Sequence, residues 1–128
     1  MIVTTRDSLT GTPRDASGPG WRSLRLLAAA DGTDFTMTDT TLLPGHVLKL
    51  HYTHHIEAVY CLSGEAELTD IATGDTHRIV PGTLHCLNDH DAHEVRVTSS
   101  DPMRVICVFT PALRGDEVHR PDGSYAPA

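Results

Sequence analysis

No stretch of this sequence stays apolar for the roughly 20 residues that a membrane-spanning helix needs, so no membrane partner is expected. The start, "MIVTTRDSLTGTPRD", has no apolar core of a secretory leader, so no signal peptide is expected. Cysteine is scarce. Cys61, Cys86 and Cys107 are odd in number and far apart, which argues against a disulfide framework and for reduced thiols in a cytoplasmic protein. Lysine and arginine never form a block, and the formal net charge is −7 with histidines neutral, so a nucleic-acid partner is not expected either. Internal repeats and low-complexity tracts are missing. Long helical periodicity is missing too. The 128 residues suit one domain, 1–128, around one core.

What is present is a series of short β-like runs. "GTPRDASGPG" reads as loop, and "WRSLRLLAAADG" fits a short helix or a strand, ended by Gly32. "FTMTDTTLL" alternates. "HVLKLHY", "EAVYCL", "EAELTD", "THRIV", "HEVRVT" and "MRVICVF" follow, rich in β-branched residues. Pro44-Gly45, Ser63-Gly64, Thr73-Gly74-Asp75, Pro81-Gly82 and Asn88-Asp89 punctuate them as turns. Short strands at even spacing predict an all-β sandwich or barrel. The tail from Pro111 is polar and irregular.

Histidine is the exception to the general scarcity. There are nine, clustered in the middle. In an extended chain His51, Thr53, His55 and Glu57 share one face, with His54 and Ile56 on the other. A carboxylate on an apolar strand is costly to bury alone, and a metal ion is one cation that answers it. The spacing Gly45, His51, Glu57, Gly64 resembles the first cupin motif. Gly74, Pro81, Gly82, His85 and Asn88 resemble the second. Two hairpins would then carry Glu57 and His85 toward the mouth of a small barrel. The usual second histidine of the first motif is replaced by Thr53, so the ligand set needs a residue from elsewhere, and His93 leads into the next strand. Glu57, His85 and His93 are the expected metal ligands. A carboxylate with two imidazoles suits Fe(II), with Zn(II) as the usual competitor. His46, His77 and His90 flank turns and suit plain surface positions, and His54 suits an exposed one.

Beyond the cupin motifs, the sequence resembles the ectoine synthase family. "GWRSLRLL", "HIEAVYCLSGE", "DIATGDTHRIVPGT", "HDAHEVR", "CVFTP" and "GDEVHRPDGSY" carry the resemblance over nearly the whole chain. It implies a small single-domain cupin of the bacterial cytoplasm, a homodimer by analogy. The implied reaction is ring closure of N4-acetyl-L-2,4-diaminobutyrate, an N-acetylated diamino acid, to ectoine with loss of water. It implies iron held by Glu57, position 85 and His93. It also implies a substrate pocket at Trp21, Arg25, Thr40, Tyr52, Cys107, Phe109, Glu117 and His119. Glu57, Tyr52, Glu117 and His119 are the catalytic candidates of that set. Glu117 and His119 share parity and would project together in extended chain. Arg25 has the chemistry to clamp a carboxylate; it also suits a surface position. Trp21 and Phe109 equally suit an ordinary core, and Cys107 suits a small buried hydrophobe.

The sequence departs from that family at His85, where tyrosine is usual. The exchange restores the two-histidine, one-carboxylate set of many iron oxygenases. Two other readings therefore stay open: an Fe(II) cupin oxygenase acting on a small polar substrate, and a metal-free cupin that only binds a small polar ligand.

Overall fold

The computed structural model describes residues 1–127. Ten strands form: β1 Asp15–Gly18, β2 Trp21–Arg25, β3 Thr36–Leu42, β4 Val47–Leu50, β5 Ile56–Ser63, β6 Ala66–Asp70, β7 Thr76–Ile79, β8 Leu84–Leu87, β9 His93–Val97 and β10 Met103–Thr110. Two single turns of 3-10 helix, Asp7–Leu9 and Ala29–Asp31, are the helical elements of the described residues. The expected all-β class is what forms. Every pairing is antiparallel, in two sheets: β1-β2-β3-β10-β5-β8 and β4-β9-β6-β7.

Alternation explains the assembly. On β10, Met103, Val105, Cys107 and Phe109 are buried, while Arg104, Ile106 and Val108 are half-exposed on the opposite face. On β5, Glu57, Val59 and Cys61 are buried with them. The second sheet contributes Ala66, Leu68, Ile79, Val95 and Val97 to the same core. Two inner faces at period two thus enclose one apolar interior.

Two sequence expectations need correction here. Residues 11–20, read as loop, contain β1, whose Asp15 pairs with Leu24 and Gly18 with Trp21. Short length and polar composition hide that strand, and the turn Pro19-Gly20 that closes the hairpin is its one legible part (Gly20 has φ +81°). Residues 51–55, read as extended, are not strand. The chain bends before β5 starts at Ile56. For "WRSLRLLAAADG", the strand alternative is the one that forms.

The tail after β10 forms no strand among the described residues, yet it is anchored. Gly123 accepts a hydrogen bond from the His51 amide at 3.1 Å. Its φ is +83°, and a Cβ there would lie 2.6 Å from the Lys49 carbonyl oxygen and 3.0 Å from the His51 nitrogen. Only glycine lets the tail approach β4 this closely.

Candidate active site

The site is the cavity between the sheets. One wall is the inner face of the six-stranded sheet. Register places Ser23 beside Thr40, Thr38 beside Cys107, Cys107 beside Val59, Val59 beside His85, and Phe109 beside Glu57. The opposite wall supplies His93, Val95, Leu68 and Ile79, and the tail closes it with His119 and Tyr125. Most of the lining is aliphatic or aromatic, so polar groups in it are poorly hydrated.

That dryness shows in their acidities. Glu57 is buried, and desolvation pushes its carboxyl up to about 8. His85 is brought down to about 4, by burial first and then by its neighbours His93 and His77. His93 is lowered by burial as well. Its Nδ1 donates to the Asp91 carbonyl at 2.8 Å, which leaves Nε2 as the nitrogen with a free lone pair. The buried Nδ1 of His85 has no partner at all.

The three sequence-nominated ligands therefore all line one cavity. A desolvated carboxyl, a buried imidazole nitrogen without a partner and a second imidazole fixed by its backbone bond are donors that suit a divalent cation. Among the described residues, no three His, Cys, Asp or Glu side chains stand close enough together to hold a metal ion between them. The donors are assembled on the walls and not around a point.

A second polar group forms from the loop after β4 and the tail. Tyr52 and His119 Nε2 are hydrogen-bonded at 2.8 Å. The His119 ring stacks on Tyr125 with centroids 4.5 Å apart and meets the Trp21 ring edge-on at 4.8 Å. Tyr52 meets Phe109 edge-on at 5.2 Å. Burial holds the Tyr52 phenol well above its ordinary range, so it stays protonated. Burial, followed by the charge of Arg25, takes His119 down to about 4, so its ring is neutral at pH 7.

The resemblance-derived residues divide clearly. Trp21, Thr40, Tyr52, Cys107, Phe109 and His119 line the cavity with Glu57. Arg25 and Glu117 do not. Arg25 is fully buried rather than on the surface, and its guanidinium binds the Gly115 and Glu117 carbonyls, Ser23 and Tyr125. The Glu117 carboxylate accepts the Arg114 and Gly115 amides, both at 2.8 Å, so it shapes the tail, while His119 bonds to Tyr52 instead. Equal parity fails there because the tail is not extended. Parity fails at the other end too. The bend at 53–54 puts Tyr52 on the cavity and carries His55 off it, into a buried position where both ring nitrogens lack partners. His54 is exposed, as expected. Sequence reasoning missed Ser23 and Tyr125. Ser23 shares a face with Trp21 on β2 and was legible from parity; Tyr125 sits in irregular chain and was not.

Comparison with known proteins gives the family and the fold. The family model described as Ectoine synthase matches residues 1–128. An L-ectoine synthase from Nocardia farcinica is 45% identical over 98% of this chain and 94% of its own. The crystal structure of ectoine synthase from P. lautus superposes with a TM-score of 0.83 at 37% identity, covering 90% of this chain and 81% of that one. A Cupin_2 domain of an XRE-family transcriptional regulator from Enterobacter cloacae, 22% identical with a TM-score of 0.59 over 71% of this chain and 96% of its own, shares the fold. The chain has the cupin fold, belongs to the ectoine synthase family, and is an enzyme, a lyase, of that type.

Proposed function

We propose that this cavity closes N4-acetyl-L-2,4-diaminobutyrate into ectoine with loss of water, and that Glu57, His85 and His93 hold the divalent ion it uses, Fe(II) in preference to Zn(II). The observation that carries the reading is the Tyr52–His119 pair facing the same dry cavity as those three donors. When bound, the ion supplies Lewis-acid polarisation of the acetamide carbonyl. Glu57 is costly to ionise alone in this setting, so a cation beside it is favoured.

The chain's own residues do the rest. The apolar walls fold a short flexible substrate so that its α-amine meets its own acetamide carbon, which turns the encounter into an intramolecular one. As the new N–C bond forms, the amine gives up a proton and the carbonyl oxygen gains negative charge. His119, neutral in this site, takes the proton. Tyr52, kept protonated, delivers one to the oxygen, and His119 Nε2 returns a proton to the Tyr52 oxygen. The C–O bond then breaks as Tyr52 protonates the departing hydroxyl to water, the nitrogen lone pair closes to C=N, and the proton that nitrogen sheds returns through His119 to the Tyr52 oxygen. Trp21 and Phe109 keep bulk water from reversing the step.

The partner reading is a homodimer. The outer face of β5 and β8 exposes Ile56, Tyr60, Leu62 and Leu84, an apolar patch that a second copy would cover. The test of function is to incubate the iron-loaded protein with the substrate, look for ectoine by mass and follow O2. Ectoine without O2 uptake supports the cyclase. O2 uptake coupled to product would support the oxygenase that the donor set also suits, and binding without turnover would support the ligand-binding cupin.

A further inference from the structure

The two sheets part along one side. β8 ends the six-stranded sheet and β7 ends the four-stranded one, and no ladder joins them among the described residues. The gap between these edges opens into a second cavity with room for about 390 Å³. Leu68, Ile79, His85 and His93 line both this cavity and the reaction cavity, so the two imidazoles stand in the partition between them.

The two sides of that partition differ in chemistry. The reaction cavity is walled mostly by aliphatic and aromatic side chains. The side cavity is lined by Asp70, His77, Thr83, Asn88 and Asp91. Arg78 is the one lysine or arginine of its lining among the described residues, and it is paired with Glu65 at 3.0 Å. Asp70 and Asp91 belong to none of the ion pairs among the described residues. Their charge is felt in the partition. Burial lowers the His93 imidazole, and the bond to the Asp91 carbonyl, with the charges of Asp91 and Asp70, opposes that lowering. At His85, burial comes first and His93 next, and His77 adds to the lowering, which puts His77 within electrostatic reach. The buried Nδ1 of His85 has no partner in the protein.

A cation is costly to carry through apolar surroundings, so its path needs polar groups along the way. The side cavity has them, and the reaction cavity's apolar walls do not. We propose that the opening between β7 and β8 is the port through which a hydrated divalent cation reaches His85 and His93, steered by Asp70 and Asp91 and passed on by His77. The proposal rests on the metal site put forward above and not on the reaction. A separate port lets the ion enter without crossing the space that the substrate fills.

Cys86 makes the port testable. It is exposed and lines the side cavity, whereas Cys61 and Cys107 are buried, so a bulky maleimide reacts at the port. Metal-stripped full-length protein, labelled or not, is mixed with Co(II), whose visible absorption follows binding, and release is followed with a chelator. The label should slow uptake and release together, by about tenfold or more, and leave Kd unchanged. Cys86→Ser treated with the same maleimide should match the unlabelled protein. His77→Ala should slow both rates in smaller measure. Asp70→Asn should slow uptake, an effect that added salt erases. Equal rates with and without the label overturn the port. So does any rise in Kd on labelling, because a route changes rates and not the end state. Unchanged rates in both variants overturn the roles of His77 and Asp70. If the unlabelled protein binds no Co(II), the metal site falls and the port with it. If metal binds through the port and the loaded protein forms no ectoine, only the reaction falls.

Discussion

Tyr52 and His119 show how burial assigns roles to single side chains. The same desolvation moves them in opposite directions, raising a phenol and lowering an imidazole, so both are neutral at pH 7 and linked by one hydrogen bond. Tyr52→Phe keeps the ring contacts and removes the transferable proton. It should lower kcat about 100- to 1000-fold with little change in KM, checked by steady-state ectoine formation. The His119 shift also has a stability consequence. An imidazole near 6.5 unfolded and near 4 folded takes up its proton more readily in the unfolded chain, so its contribution is fully present above about 6.5 and is lost as pH falls through about 4. That is at most about 3 kcal/mol for this side chain. Denaturant unfolding between pH 7 and 4 should show a shallower decline in His119→Gln than in wild type, with His55, His85 and His93, which burial lowers as well, contributing to the remaining slope.

At the scale of elements, the tail is held by a glycine rather than by a strand. Gly123→Ala places a Cβ against the Lys49 carbonyl at a left-handed φ. It should cost about 1–3 kcal/mol. It should also free the segment that carries His119 and Tyr125, which limited proteolysis and a fall in activity would report. The elements also divide by how well the sequence announces them. β9 alternates apolar and polar residues, while β5 and β10 are nearly continuous apolar runs between turn signals, and all three could be placed from those patterns. β8 escaped the list of β-like runs, because "LHCL" is short and only one of its four residues, Leu87, is buried. It was reached through its histidine instead. β1 was invisible, since a polar edge hairpin has no buried stripe to betray it. His55 was assigned to the face of Glu57, but the bend at 53–54 carries it off the cavity, and nothing in "HYTHHIE" marks where that bend falls.

The whole molecule joins residues more than sixty positions apart into one cavity, which is where reading by spacing succeeds and fails. Glu57 and His85 were legible as cavity residues because motif spacing encodes which hairpins face each other, and His93 because it opens the strand that follows. Arg25 and Glu117 were not, since their chemistry suits a ligand and their surroundings turn them to the protein. Only the fold reveals that. The outer patch belongs to this scale as well. Leu84→Asp should shift the protein from dimer to monomer in light scattering while the isolated fold persists, whereas an unchanged mass would place the second copy elsewhere or nowhere. The most direct measurement of the central claim is side-by-side turnover of N4-acetyl-L-2,4-diaminobutyrate by iron-loaded wild type, Glu57→Ala and His54→Ala. Ectoine from wild type and His54→Ala, with none from Glu57→Ala, is the predicted result; ectoine from Glu57→Ala at the wild-type rate would contradict a reaction centred on this cavity's donors.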